Sequence, residues 1–220
     1  MNRAQQFYRA AIGKKIVMGV TGLIWVGFVI GHMAGNLLFL RGSDAINDYA
    51  HFLASTGELL WLVRIFLFIA VILHIVAAYH LTMQNRAARP IGYVIREPQV
   101  STLASRTMRW GGALLIVFLV LHILHFTNPG WRAGGGFDKA DVYLNVLTSF
   151  RIWWVTLFYV VSMVAVGFHL YHGIWSSMRS LGVAQQTTHP LKRRAALGIG
   201  VLVWLGFTVV PVAVFLGLVG

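Results

Sequence analysis

Five long apolar stretches dominate the chain, and short polar segments separate them. A helix that crosses a membrane needs about 20 consecutive apolar residues, and these stretches meet that length within a residue or two. They are Ile16–Leu40, Trp61–Met83, Trp110–Thr127, Ile152–Ser177 and Ala195–Val219. Because the bilayer core offers the backbone no water, such segments must be helical. The pattern predicts an all-α fold, a single transmembrane bundle of five helices over residues 1–220, with no room for a soluble catalytic domain.

Two of the connecting segments carry short amphipathic stretches, Asp44–Leu53 and Asp138–Phe150. Their apolar faces predict helices that lie in the membrane interface instead of crossing it. The glycine-rich segment Gly130–Gly136 follows no predicted strand and lacks a P-loop lysine, so it does not predict a phosphate site.

Composition narrows the class of protein. The chain is 58% hydrophobic and 11% charged, with a mean hydropathy of +0.72, against about 45–50% and about 25% in soluble domains. This composition therefore favours a membrane protein over a soluble or disordered chain. The absence of cysteine excludes disulfides, thiolate metal sites, covalent c-type haem attachment and an iron–sulfur cluster held by this chain.

The charges indicate an orientation. The formal net charge is +12, and most of the basic residues cluster in alternate connections. These are Arg3, Arg9, Lys14, Lys15, Arg86, Arg89, Arg96, Arg106, Arg109, Arg179, Lys192, Arg193 and Arg194. All acidic residues except Glu97 fall in the opposite connections. By the positive-inside rule, this predicts a cytoplasmic N-terminus, an outer C-terminus and location in the cell membrane. The basic inner face needs no nucleic acid partner, although it could also dock an acidic protein.

Histidines are the candidate functional residues. Seven of the nine lie in or close to the spans: His32, His74, His80, His122, His125, His169 and His172. Of the other two, His51 lies just outside a span and His189 lies in a connection. Ionisable side chains inside a bilayer are costly and usually functional. A single one could bond a neighbouring helix, but histidines in each of four successive spans favour a shared site.

Depth along the spans sorts these histidines into pairs. Successive spans run in opposite directions, and a helix rises about 1.5 Å per residue. His32 and His122 fall in the predicted outer half of the membrane, whereas His74 and His169 fall in the inner half. Four helices thus supply two histidine pairs in two layers, very roughly 10 Å apart.

Facing imidazole pairs suit six-coordinate haem iron, because each ring supplies one axial bond and the porphyrin supplies four. Zinc would prefer a tetrahedral ligand set. Small residues near these histidines could admit the haem plane: Gly27, Gly31, Gly35, Gly111, Gly112, Gly167 and Gly173. Small residues at four-residue intervals, such as Gly27, Gly31 and Gly35, are also typical of close packing between transmembrane helices, and this alternative stays open.

Periodicity alone does not choose every ligand. His125 and His172 follow His122 and His169 by three residues, so each could replace its neighbour. Otherwise they would contact haem propionates, interfacial water or quinone, as His80 would. Arg64, about one turn inside the outer end of the second span, either pairs with a propionate of the outer haem or extends its charge to the interface.

Five strings carry a family resemblance. They are FVIGHMAGN around His32, HFLAS in the first connection, ILHIVAAYH around His74, VFLVLHILHF around His122 and GFHLYHGIWSSMRSLG around His169. In this order, over nearly the whole chain, they resemble the single-chain, five-helix, two-haem cytochrome b anchors of succinate dehydrogenase and fumarate reductase. The fifth span has no histidine, as in that family.

The resemblance implies which residues act. His74 and His169 would hold the iron of an inner haem b, and His32 and His122 that of an outer haem b. The resemblance also implies a flavoprotein partner that oxidises succinate and an iron–sulfur partner, both docked on the cytoplasmic face. This chain would then be the non-dehydrogenase subunit, without catalytic residues of its own, and would pass electrons to quinone, typically menaquinone.

The quinone site and the competing functions stay open. An outer quinone site could use His51 or Glu58 as proton donor or acceptor, and an inner one His80, His172 or Arg86. One rival is the cytochrome b subunit of a hydrogenase or formate dehydrogenase. A rival of another class is a haem-free transporter or proton channel that uses histidines as relays. The whole complex could also assemble into a higher oligomer.

Overall fold

The computed structural model describes residues 2–88, 102–128, 137–184 and 190–220. Several predicted features lie outside the described residues: Gly130–Gly136, His189, Arg89, Arg96, Glu97 and Arg132. The described residues form the helices α1 (Arg3–Arg9), α2 (Ala11–Leu37), α3 (Ser43–Ser55), α4 (Glu58–Ala87), α5 (Leu103–Thr127), α6 (Val142–Phe150), α7 (Trp153–Ser180) and α8 (Pro190–Phe215). A short 3₁₀ helix, Leu38–Arg41, extends α2.

Helices α2, α4, α5, α7 and α8 are long and apolar enough to cross a membrane. The all-α bundle of five spans predicted from the sequence is confirmed. We name the two ends of the bundle after the predicted orientation. Helices α2 and α5 begin at the inner end, and helices α4 and α7 end there. The opposite end is the outer end.

The helices run past the apolar stretches that predicted them. Helix α5 begins at Leu103, well before the predicted Trp110, and includes Arg106 and Arg109. Apolar length marks the hydrocarbon thickness, whereas the backbone continues its own hydrogen bonds into the headgroup region. The side chain of Thr102 fixes the start of α5, because its hydroxyl accepts from the Ser105 N–H at 3.1 Å.

The last span ends earlier than its apolar run predicts, at Phe215 instead of Val219. Gly217 has φ of 68°, a conformation that glycine adopts without strain. The Leu218 N–H then donates to the Ala213 carbonyl at 2.9 Å, and the Gly217 N–H donates to the Val214 carbonyl at 3.1 Å. This pair of bonds is a Schellman motif, which stops the helix inside an apolar sequence.

Helices α3 and α6 form a cap at the outer end and match the two predicted amphipathic stretches. They are joined through Asn47, whose side-chain amide donates to Asp141 Oδ1 at 3.1 Å and whose Oδ1 accepts from the Tyr143 N–H at 3.1 Å. Helix α6 begins later than predicted because Asp141 caps it, accepting from the Leu144 N–H at 2.8 Å.

The apolar core lies between α2, α7 and α8. Its outer half includes Phe39, Phe150 and Tyr159, and its inner half includes Leu170 and Ile174. Helix α4 packs along α2, and α5 packs along α7, while α4 and α5 barely touch each other within the described ranges. The result is a four-helix arrangement, with α2 and α7 adjacent at its centre, in which α2 is diagonal to α5 and α4 is diagonal to α7.

Candidate haem-binding site

The outer histidine pair lies across one diagonal of the bundle. The rings of His32 on α2 and His122 on α5 have centroids 5.9 Å apart, at 74° to each other. A phenylalanine one turn earlier stacks on each of them: Phe28 on His32 and Phe118 on His122, both at 5.4 Å. These stacks restrict the rotamers of the two imidazoles, so the rings face each other in an apolar setting.

The inner pair lies across the other diagonal. His74 on α4 and His169 on α7 have ring centroids 6.1 Å apart. His74 Nδ1 lies 3.0 Å from the Met18 carbonyl oxygen and 3.4 Å from Thr21 Oγ1. Because a carbonyl only accepts, Nδ1 must carry the proton, and the lone pair of Nε2 is left for a metal. A backbone acceptor of this kind is typical of metal-bound histidine.

Gly22 provides the space for the His74 ring. A Cβ at this position would lie 3.1 Å from Cε1 and 3.4 Å from Nδ1 of His74. A side chain at this position would therefore require the imidazole to shift by a few tenths of an ångström from the position in which it bonds to Met18. Sequence reasoning missed Gly22, although its depth on α2 matches that of His74 on α4.

Both ring separations fit two axial ligands of one iron. A metal–nitrogen bond is about 2 Å long, and each nitrogen lies roughly 1 Å from its ring centre, so two axial imidazoles stand about 6 Å apart. The pairs measure 5.9 and 6.1 Å. The four side chains come from four different helices, and the residues present fit two bis-histidine haems.

Tyr159 connects the outer pair to a third histidine. Its hydroxyl lies 3.3 Å from His122 Nδ1 and 2.9 Å from His125 Nδ1. Tyr159 and His125 are 7% and 8% exposed, so these contacts are shielded from water. Sequence reasoning missed this bridge, although Tyr159 lies on α7 at about the depth of His122 on α5.

Asn36 is a second polar neighbour that sequence reasoning missed, although it lies within the FVIGHMAGN string. Its amide donates to the His32 carbonyl at 2.7 Å and lies 3.3 Å from His32 Nδ1. One helical turn separates the two residues, so Asn36 restrains the outer side of His32.

The small residues have different neighbours. A Cβ at Gly35 would meet the Tyr49 ring of α3 at 2.6 Å, and a Cβ at Gly167 would lie 3.3 Å from the Gly200 carbonyl of α8. Helix packing accounts for both. A Cβ at Gly31 would meet no atom of the described structure within 4 Å, as at Gly27, Gly111, Gly112 and Gly173.

Three candidates and one further buried cation lie at the inner end. His80 is exposed and its Nδ1 lies 3.2 Å from the Tyr8 hydroxyl of α1. His172 is half-buried, one turn beyond His169, and Arg86 is exposed in the last turn of α4. The sequence did not single out Lys14, which is 8% exposed and donates to the Arg9 carbonyl at 2.9 Å.

Three candidates lie toward the outer end. Arg64 is exposed, and its guanidinium lies 5.1 Å from the centre of the Trp61 ring. His51 is exposed on α3, and Glu58 is exposed in the first turn of α4, where a carboxylate interacts favourably with the helix dipole. The structure brings none of these three into contact with the four facing histidines.

The charge asymmetry is visible at the two ends. Within the described ranges, the carboxylate side chains all lie toward the outer end: Asp44, Asp48, Glu58, Asp138 and Asp141. Basic side chains dominate the inner end, where Arg193 donates to the Tyr171 hydroxyl at 3.0 Å and Lys192 donates to the Val183 carbonyl at 2.6 Å. The described inner surface therefore carries an excess of positive charge.

Comparison with known proteins identifies a relative. The chain is 26% identical over 192 residues to the succinate dehydrogenase cytochrome b558 subunit of Bacillus subtilis (strain 168). The match covers 86% of this chain and 88% of the relative. The resemblance to the succinate dehydrogenase anchors is confirmed. With its five apolar helices, the chain is a multi-pass protein of the cell membrane. No family model and no solved structure matches it.

Proposed function

We propose that this chain is the membrane-anchor cytochrome b subunit of a succinate:quinone oxidoreductase. The observation that carries the proposal is the presence of two imidazole pairs, each spanning a diagonal of the bundle at the separation of axial haem ligands. Similarity over 86% of the chain to a succinate dehydrogenase cytochrome b subunit supports the choice of enzyme. Succinate oxidation itself belongs to a partner flavoprotein.

The four histidines would hold two non-covalent b haems. His32 and His122 would supply Nε2 to the outer iron, and His74 and His169 to the inner iron. When bound, the haems supply one-electron redox centres at two depths of the membrane. The Met18 carbonyl keeps the His74 ring in the tautomer that leaves Nε2 free, and the stacked Phe28 and Phe118 keep water from the outer pair.

Several flanking residues are proposed as cofactor contacts. Arg64 would extend from its place over Trp61 to a propionate of the outer haem, because a guanidinium binds carboxylates bidentately. His80, His125 and His172 would contact propionates, interfacial water or quinone. At Gly31 a porphyrin edge could approach the backbone, whereas Gly35 is explained by Tyr49.

The inner end would bind the soluble partners. Its basic side chains, among them Arg86, Arg179 and Arg193, would face an iron–sulfur subunit whose docking surface is acidic. Since this chain has no cysteine, the clusters that deliver electrons must belong to that partner. Electrons would then pass from the inner haem to the outer one.

Quinone would be the acceptor, and menaquinone is the quinone that we propose. Its reduction takes up two electrons and two protons. His51 and Glu58 could exchange protons at an outer site because both are exposed to the outer interface. His80, His172 and Arg86 are the corresponding groups for an inner site.

The test combines composition and optical spectra. The complex is purified through a tag on this chain, and we expect a flavin-containing partner, succinate-dependent quinone reduction and two b haems per chain in the reduced-minus-oxidised spectrum. A molybdenum or nickel partner would instead indicate a formate dehydrogenase or hydrogenase. A chain that carries no haem in the intact complex would rule out the proposal.

Ligand variants test the assignment of the pairs. His32→Ala and His122→Ala should each remove the outer haem, and His74→Ala and His169→Ala the inner one. His51→Ala is the matched control for haem content, because that side chain is exposed on α3 and should leave two haems per chain. If His32 and His74 variants lose the same haem, the diagonal assignment is wrong.

A further inference from the structure

The hydroxyl group of Tyr159 lies between two histidines that the spacing of the sequence could not separate. It lies 2.9 Å from His125 Nδ1 and 3.3 Å from His122 Nδ1. Within the described residues these two nitrogens are its hydrogen-bond partners. The side chain is 7% exposed, so the orientation of its single proton matters.

A hydroxyl group has one proton to donate, and a neutral imidazole carries its proton on only one nitrogen. If both imidazoles donated to Tyr159, its O–H would be buried without an acceptor, which is strongly unfavourable. The Tyr159 O–H therefore donates to one imidazole at Nδ1, and that ring carries its own proton on Nε2. Only the other ring can donate a hydrogen bond from Nδ1 to Tyr159 and leave an unprotonated Nε2 that could bind a metal.

Geometry decides which ring is which. His122 faces His32 at 5.9 Å across the bundle, the separation of two axial ligands, so its Nε2 must be bare. His122 then donates from Nδ1 to the Tyr159 oxygen, and Tyr159 donates to His125 Nδ1. The shorter Tyr159–His125 distance agrees with this direction, because O–H donors form shorter bonds than N–H donors.

We propose that Tyr159 is a positioning residue that makes His122, and not His125, the axial ligand of the outer haem by fixing their opposite tautomers. This inference rests on the proposed haem-binding function. It assigns His125 a specific role as the acceptor that keeps the Tyr159 proton away from His122. It also predicts that the outer haem senses a side chain that does not touch its iron.

The first variant removes the hydroxyl group. In Tyr159→Phe, His122 loses the acceptor for its Nδ1 proton and becomes a weaker electron donor to iron. We expect the midpoint potential of the outer haem to rise and its low-spin EPR signal to change, while the inner haem keeps both values. Tyr143→Phe is the matched control, because the Tyr143 ring stacks on Phe39 at the same end of the bundle and should change neither haem.

The second pair of variants changes the acceptor. In His125→Leu, the Tyr159 O–H can turn to His122 Nδ1 and favour the tautomer that cannot bind iron through Nε2, so outer-haem occupancy should fall. His125→Gln supplies a carbonyl acceptor and should keep more outer haem than His125→Leu. In the Tyr159→Phe background, this difference should disappear, because the two residues act through one network.

Three results would overturn the inference while the proposed function still stood. One is a complex with two haems in which Tyr159→Phe leaves the outer haem's potential and EPR signal unchanged. Another is equal outer-haem occupancy in His125→Leu and His125→Gln. The third is an outer haem that survives in His122→Ala but not in His125→Gln. A parent complex without haem would instead refute the proposed function itself.

Discussion

Gly22 offers the sharpest test of the inner half of the site. In Gly22→Ala, the new Cβ would lie 3.1 Å from Cε1 and 3.4 Å from Nδ1 of His74. The first distance is tighter than ordinary carbon contacts, so the ring must move by a few tenths of an ångström. Because Nδ1 lies 3.0 Å from the Met18 oxygen, a shift of that size weakens the bond that orients the imidazole.

The magnitudes separate binding from folding. A typical hydrogen bond contributes about 0.5–1.5 kcal/mol, and changing a residue that orients a metal ligand costs about 10–100-fold in affinity, which corresponds to roughly 1.4–2.8 kcal/mol. Against this, replacing glycine by alanine inside a helix favours folding by about 1 kcal/mol in soluble hosts. We therefore expect weaker inner-haem binding without a comparable loss of helix stability.

The assay measures both quantities in the purified complex. Reduced-minus-oxidised spectra during redox titration give the occupancy and potential of each haem, and a thermal melt followed by circular dichroism gives helix stability. Gly198→Ala is the matched control, since its Cβ would meet no described atom within 4 Å. A Gly22→Ala complex with a fully occupied, unchanged inner haem would refute the reasoning, and so would one that loses both haems to the same extent.

Two further predictions concern packing. Lys14→Met removes the hydrogen bonds that the ammonium group donates to the Arg9 carbonyl and to Gln84 Oε1; a hydrogen bond from a charged donor contributes about 1.5–3 kcal/mol. Helix α1 should therefore become more sensitive to protease while both haems remain. An unchanged digestion pattern would contradict this role of Lys14. Gly200→Ala brings a Cβ to 2.8 Å from the Gly167 carbonyl oxygen, so α7 and α8 must separate. Overpacking of this kind lowers the free energy of unfolding by about 1–3 kcal/mol, and the thermal midpoint should therefore fall below that of Gly198→Ala. Equal midpoints would show that this crossing tolerates a methyl group.

The bundle could be predicted from the sequence because the bilayer simplifies the problem. Apolar length fixes the number of spans, and the absence of water requires each span to be a helix. The exact ends could not be predicted in this way. Gly217 stops α8 inside an apolar run through its backbone conformation, and Thr102 starts α5 inside a polar one; hydropathy records neither effect.

The rotation of each helix about its axis was also beyond the sequence. Lipid, haem and neighbouring helices all accept apolar faces, so the pattern along α2 did not distinguish Gly35, which packs on Tyr49, from Gly22, which makes room for His74. The same ambiguity left His122 and His125 as alternatives at the level of spacing. Contacts between helices are needed to separate them.

Depth is the coordinate that the sequence does supply. Grouping His32 with His122 needed only the direction of each span and its rise per residue, and the two ring centroids lie 5.9 Å apart in the structure. Depth, compared for every polar or small residue, would also have matched Gly22 with His74 and Tyr159 with His122. The residues that orient the proposed ligands lie in the same layers as the ligands because a side chain reaches only about one helical turn. A search of such sequences by depth should therefore include hydroxyl groups and glycines as well as histidines.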